Sequence, residues 1–250
     1  MPPAGRTHIL FDFFGTLVDY SASRTAQSHA RSHELLLRLG ARLSYRDFLA
    51  AWLRTNAEFD RLSDQDDHEF AMTEVGAAFL ATALGRQPAP ADVEAFVVEY
   101  IGEWNTGVRY PAGITELVRE LHRDHRLAVV TNTHRADLVP NHLEAMGLLP
   151  FVDAVITSVE VGWRKPHPTI YATALDALGI EARAAVFVGD TYGPDFAGPE
   201  RAGMTAYLID PHRRTPVPDA RRLASIFDLP ARLRAADASP QKDRGHQSVC

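Results

Sequence analysis

The chain has 250 residues, 32 of them acidic and 26 basic for a formal charge of -6, and 46% of it is hydrophobic, an ordinary share for a folded soluble protein. Mild acidity gives no electrostatic hold on nucleic acid or on an anionic membrane, and the only cysteine, Cys250, excludes an internal disulfide framework and a thiolate zinc site. The longest apolar stretch near the start, Ile9 to Val18, is broken by Asp12, is too short to span a bilayer and lacks the layout of a signal peptide, which predicts a cytoplasmic protein.

In chain order, the first buried strand is His8-Ile-Leu-Phe-Asp12. From about Ser21 to Trp104 the periodicity is helical, with helices expected over Ser23 to Leu39, Ser44 to Asp60, Glu69 to Leu84 and Ala91 to Glu103. Gly40, the acidic run Asp64 to Asp67, and Gly85 to Pro90 divide them. Beyond this stretch strands and helices alternate: helix Ile114 to Arg123, strand Arg126 to Thr131, helix Ala136 to Met146, a weaker strand Ala154 to Ser158, helix Pro168 to Leu178, strand Ala184 to Asp190 and a weaker strand Thr205 to Ile209. Alternation of this kind predicts an α/β fold, a Rossmann-like doubly wound parallel sheet. Because the first strand precedes the helical stretch, the sheet domain is expected to be discontinuous, residues 1–20 and 105–235, with an inserted α-helical domain at 21–104. The polar, aperiodic residues 236–250 read as a disordered tail.

The three strong strands each end on polar residues, namely Asp12, Thr131 with Asn132, and Asp190, where open α/β sheets bind ligands. Of the 26 basic residues 24 are Arg and two are Lys, Lys165 and Lys242. Lys165 sits in the proline-stiffened segment Gly162-Trp-Arg-Lys-Pro-His-Pro168, from which an amine can reach the same crevice. Lysine there, in a chain that otherwise uses Arg, suits a compact point charge.

These four pieces resemble the sequence motifs of the haloacid dehalogenase superfamily: Leu10-Phe-Asp12-Phe-Phe14-Gly-Thr16-Leu-Val-Asp19, Val-Val-Thr131-Asn132, Arg164-Lys165-Pro166 and Val-Gly-Asp190-Thr-Tyr-Gly-Pro-Asp195. Order and spacing match over roughly residues 8 to 210, helped by Gly113, Gly203-Met204 and Lys-Pro-His-Pro, and the helical insertion is similar to the cap of one subgroup. The resemblance implies a hydrolase in which Asp12 is the nucleophile, Thr131 and Lys165 bind and stabilise the transferring group, and Asn132 and the turn Phe13, Gly15 and Thr16 surround the phosphate with backbone amides. It further implies a Mg²⁺ ion on Asp12, Asp190 and the backbone carbonyl of Phe14, with Asp195 either a further ligand or an acceptor behind the ligands. The substrate implied is a small phosphorylated anion, and Arg24, at the entrance to the insertion, is a candidate grip for a second anionic group, the other reading being an exposed helix-start arginine.

One position departs from the phosphatase pattern. Most phosphatases of this superfamily carry a second Asp two residues after the nucleophile as general acid and base; here that residue is Phe14, which cannot move a proton. Either the leaving group needs no proton, or another residue supplies it, or the reaction is not phosphate-ester hydrolysis. The third case points to metal-independent 2-haloacid dehalogenases, which resemble this chain in an aromatic residue there but usually lack the Gly-Asp pair of the fourth motif; a binding protein that lost turnover is a further alternative. Three carboxylates facing one lysine make sense chiefly around a cation, which favours phosphoryl transfer. His134 is the first candidate for a surrogate proton donor. His29 and His33, four residues apart, read as a solvated or partner-facing pair. Phe13, Phe14, Trp104 and Trp163 read as core and pocket walls.

Overall fold

The computed structural model describes residues 7–21 and 23–238. Six parallel strands, β1 (His8–Phe11), β2 (Arg126–Thr131), β3 (Ala154–Thr157), β4 (Ala185–Gly189), β5 (Thr205–Ile209) and β6 (Arg222–Leu223), lie in the order β3-β2-β1-β4-β5-β6. The chain leaves β1 for β2 and β3 on one side and returns to β4 on the other, so strand order reverses at β1 and a crevice opens beyond its carboxyl end.

The strands read as nearly continuous apolar runs because both faces are covered. Ile9, Phe11, Leu127, Val129, Val186 and Val188 point to one face, where Leu117 and Leu121 of α5 (Ile114–His122), Val139 and Leu143 of α6 (Leu138–Ala145), and Leu229 and Leu233 of α10 (Leu229–Ala238) bury them. Leu10, Ala128, Val130, Ala185 and Phe187 alternate to the other face, against Ile170, Tyr171 and Ala174 of α8 (Pro168–Leu178). Short helices α7 (Ser158–Val161) and α9 (Gly198–Arg201) complete the sheet's surroundings.

Between β1 and β2 stand α1 (Ala30–Arg38), α2 (Tyr45–Asp66), α3 (Met72–Leu84) and α4 (Pro90–Trp104). They bury a second core of Leu36, Phe48, Trp52, Phe79, Phe96 and Tyr100, rich in edge-to-face ring pairs such as Trp52 with Phe79 and with Phe96. Among the helix boundaries that differ from the sequence expectation, two differ by six or more residues. The first helix begins at Ala30 rather than Ser23, because the Ser21 and Ser23 hydroxyls capture the backbone N–H groups of Ser23 and Thr25, an alternative to helical bonding. The second runs through the acidic residues expected to end it and stops at Asp67, whose φ of 62° is left-handed. Helix α10 covers 236–238 of the stretch read as a tail; residues 239–250, with Lys242 and Cys250, lie outside the described residues.

His29 is not solvated, and His33 is only partly exposed. His29 is fully buried and stacks on Tyr100 with ring centroids 4.9 Å apart, and His33 stacks on Phe48 while its Nε2 meets the Leu43 carbonyl at 2.8 Å. In the sheet domain His142 lies buried between the Tyr110 hydroxyl, 2.9 Å from Nδ1, and Asn105 Oδ1, 3.2 Å from Nε2. Burial holds the His29 and His142 imidazoles below their ordinary value, the Glu103 charge opposing this at His29. These two imidazoles bind fewer protons folded than unfolded, so their contribution to stability is full above about pH 6.5 and declines as pH falls through the folded values. Between pH 7.5 and pH 5 the melting midpoint of His142→Leu is expected to fall less, or rise more, than that of the parent; equal slopes for variant and parent would contradict this origin.

Candidate active site

Register places the polar strand ends together. Phe11 aligns with Val129 and Val188, so Asp12 stands directly beside the ends of β2 and β4, with its N–H on the Val188 carbonyl at 2.8 Å. Lys165 is 3% exposed and its Nζ donates to Asp12 Oδ1 at 2.8 Å and to Asp195 Oδ1 at 2.7 Å, over the Phe187 ring. The segment that carries it is pinned by Asn132, whose side chain donates to the Lys165 carbonyl at 2.9 Å and accepts the Lys165 N–H at 2.7 Å; Lys165-Pro166 is cis. Thr131 and Thr16 hydroxyls lie 3.4 and 3.3 Å from the two Asp12 carboxylate oxygens.

Asp195 is buried in a π-helical turn, Tyr192–Ala197, with Oδ2 accepting the Thr191 N–H at 2.9 Å, and is no helix N-cap. Asp190, partly exposed, takes the Thr191 hydroxyl at 3.1 Å. Carboxylate oxygens of Asp12, Asp190 and Asp195 lie within 4.8 Å of one another. Two glycines make the cluster possible. Gly15 has a φ of 87°, and a Cβ there would fall 2.2 Å from Asp190 Oδ2, while one on Gly189 would fall 2.3 Å from the Asp195 carboxyl carbon.

Burial works against the Lys165 charge, but Asp12 and Asp195 outweigh it and hold the ammonium above its ordinary value. Burial pushes Asp195 up, to about 7, with Lys165 offsetting and Asp12 adding to the rise; burial and then Asp12 raise Asp190 as well. A pair that holds Lys165 charged would ordinarily lower both carboxyls. Burial, with one ammonium shared between two acids and a third beside them, explains why Lys165 is raised while Asp195 and Asp190 are raised too.

Several expectations need correction. The amides of Gly15 and Thr16 are spent inside the turn, on the carbonyls of Val18 at 2.8 Å and Phe13 at 3.3 Å; the amides at this turn without an acceptor among the described residues are those of Phe13 and Phe14. Of the four aromatic residues read as core and pocket walls, Phe13 belongs to the core, fully buried, and Trp163 stacks on His167 with centroids 4.2 Å apart. Arg24 lies ahead of α1 rather than at a helix start. Its guanidinium makes a bidentate pair with Asp60 of α2 at 2.6 and 2.9 Å, along a cleft between insertion and sheet that Phe14, Tyr20, Trp104, Asn132 and His134 also line. Phe14 heads an aromatic wall there, 5.5 Å from Tyr20 and 5.4 Å from Trp104.

Glu69 escaped the sequence reading, where it was only a helix start. It lies just before α3, its side chain fully enclosed, with Oε2 taking the Ser158 hydroxyl at 2.6 Å and Oε1 3.0 Å from His134 Nδ1. Burial alone would raise this carboxyl, but the bond and charge of His134, then Arg164 and Ser158, hold it below the usual range. Backbone bonds join the same two segments: Glu69 N–H to Gly162 carbonyl at 3.0 Å, Arg164 N–H to Asp67 carbonyl at 2.9 Å, and Met72 N–H to His134 carbonyl at 2.8 Å. No local periodicity marks Glu69, since its partners lie 65 to 95 residues on along the chain.

A parallel sheet carries at its carboxyl-end crevice an aspartate, a hydroxyl, an ammonium and two further carboxylates. The sequence matches the haloacid dehalogenase-like hydrolase family over residues 7–203, and the chain belongs to that family. Human haloacid dehalogenase-like hydrolase domain-containing protein 3 is 36% identical over 124 residues, 47% of this chain; the match spans about half of the human protein, 49%. The ribulose-1,5-bisphosphate 5-phosphatase of Halopiger xanaduensis is 28% identical over 235 residues, 93% of this chain and 94% of that protein. Among solved structures, a 2-haloacid dehalogenase of Pseudomonas syringae pv. Tomato DC3000 superposes with a TM-score of 0.68 over 92% of this chain and 99% of that one, at 22% identity, a likeness of fold.

Proposed function

We propose that the protein is a magnesium-dependent phosphatase that transfers the phosphoryl group of a small phosphorylated metabolite to Asp12 and then to water. The observation that carries this reading is the cluster of Asp12, Asp190 and Asp195 around the single ammonium of Lys165. Three carboxylates and one lysine repel an anionic substrate unless a cation joins them, and an all-oxygen donor set suits Mg²⁺. Asp12, Asp190 and the Phe14 carbonyl would hold that ion, with Asp195 beside or behind them. When bound, it neutralises phosphoryl charge. The phosphatase names of relatives, including the Halopiger enzyme, support the same class.

In this reading an Asp12 oxygen attacks phosphorus as the ester oxygen departs, Lys165 holds Asp12 in line, and Thr131 and Asn132 with the free amides of Phe13 and Phe14 grip the phosphoryl oxygens. Residues 21–104 act as a cap over the sheet domain formed by residues 1–20 and 105–235, and Arg24 reads the far end of the substrate after exchanging Asp60 for it. The aromatic Phe14 favours the rival reading, halide displacement, because a halide leaves without a proton.

A panel of phosphate monoesters, acetyl phosphate and 2-haloacids, each with and without Mg²⁺, separates the two. Magnesium-dependent phosphate release is expected. Halide release indifferent to chelator would establish the dehalogenase instead, and no turnover of any member would leave a binding protein.

A further inference from the structure

We propose that His134, oriented by Glu69 from the helical insertion, gives the leaving oxygen the proton that Phe14 cannot; the inference rests on the phosphatase reading above. His134 Nδ1 faces two groups that can only accept, the Phe70 carbonyl at 2.9 Å and the Glu69 carboxylate at 3.0 Å. That ring nitrogen therefore carries a proton in either charge state, and the exchangeable position is Nε2. Nε2 has no hydrogen-bond partner among the described residues, and His134 lines the cleft together with Phe14 and Asn132. Asn132 follows Thr131, whose hydroxyl lies 3.4 Å from Asp12, so the cleft that His134 lines adjoins the strand end beside the nucleophile.

The carboxylate behind the ring is built to stay ionised. Ser158 Oγ donates to Glu69 Oε2 at 2.6 Å while accepting the Thr133 N–H at 2.8 Å, which ties the carboxylate to the loop that carries His134. Arg164 Nε stands 3.8 Å from the same carboxylate. The other charges near this loop are already matched: Arg135 is held by Asp137 and Glu94, and Arg24, across the cleft, by Asp60. Glu69 comes from the insertion and His134 from the sheet domain, so the pair exists only when the two are docked.

Protons and bonds balance over two steps. First the Asp12 oxygen bonds to phosphorus, the ester P–O bond breaks, and Nε2 of the imidazolium protonates the departing oxygen to release a neutral alcohol. Then the neutral Nε2 takes a proton from water as water oxygen bonds to phosphorus, the phosphorus–Asp12 bond breaks, and orthophosphate leaves with the carboxylate restored. His134 acts on the substrate; Glu69 is a positioning residue.

The test compares glycerol 3-phosphate, whose alkoxide needs a proton, with 4-nitrophenyl phosphate, whose phenolate does not. His134→Gln is expected to lower kcat/KM by about 10²-fold or more on the first and by less than about tenfold on the second. Phe14→Asp restores the family's acid, so adding it to His134→Gln should recover activity on glycerol 3-phosphate selectively. Glu69→Gln should lower kcat on glycerol 3-phosphate with KM little changed and leave 4-nitrophenyl phosphate within about tenfold of the parent, a selectivity that a purely structural role for Glu69 would not produce. Equal losses on both substrates in His134→Gln, or no loss on either, with the parent active on both, overturn the inference and leave the phosphatase reading standing. A parent silent on both substrates removes the two together.

Discussion

Replacing Asp12 by Asn should take turnover to background, a loss on the order of 10⁶-fold, since the amide is nearly isosteric with the carboxylate but is no nucleophile. The substitution isolates chemistry from folding. Asp12 sits at the end of β1 with its N–H on Val188, a bond the side chain does not affect, and Lys165 keeps its second partner, Asp195, at 2.7 Å. Removing one of three crowded carboxylates also relieves repulsion, so the melting midpoint should hold or rise. The parent, incubated with Mg²⁺ and an acyl phosphate and quenched in acid, should carry a hydroxylamine-labile phosphoryl group that the variant lacks. Residual turnover within about a hundredfold of the parent would show that a different residue accepts the phosphoryl group.

Much of the site was legible because it is local to strand ends. A buried parallel strand reads as an apolar run, and the residue that terminates it falls at the crevice whatever the remainder of the chain does. That logic reached Asp12, Thr131, Asn132 and Asp190, and the scarcity of lysine singled out Lys165. It failed where side chains from distant segments decide the outcome. Glu69 read only as a helix start and is enclosed by Ser158, His134 and Arg164. His29 and His33 looked like a solvated pair because spacing reports a shared helix face but not what lies against it, here Tyr100 and Phe48. The turn after Asp12 was misjudged for a related reason. Its glycine and threonine amides close the turn on Val18 and Phe13, leaving the preceding two amides free.

Lys165→Met should cost both turnover and fold, and the cost in stability should depend on pH with a definite sign. Lys165 is the only lysine among the described residues, and the buried ammonium is the shared partner of Asp12 and Asp195. Removing one side of a buried ion pair typically costs about 3–5 kcal/mol, because the charge left behind can be neither solvated nor matched. Aspartates can escape by taking up protons. Asp195 is already pushed up to about 7, first by burial, and without the lysine that offsets this its carboxyl must rise further. A carboxyl whose folded value exceeds its unfolded value of about 3.9 contributes stability below that unfolded value and loses it as pH rises through the folded one. The variant, measured in chelator, should therefore be least stable near pH 8 and recover on acidification towards pH 6 more steeply than the parent, in which Lys165 offsets part of the rise. Lys165→Arg should preserve charge and much of the fold but not turnover, since a planar guanidinium cannot bring one nitrogen between two carboxylates above the Phe187 ring, 5.1 Å away, as the ammonium does. A Lys165→Met protein with the parent's midpoint at pH 8 would mean that the carboxylates find water or each other's protons, and that the ammonium serves the reaction alone.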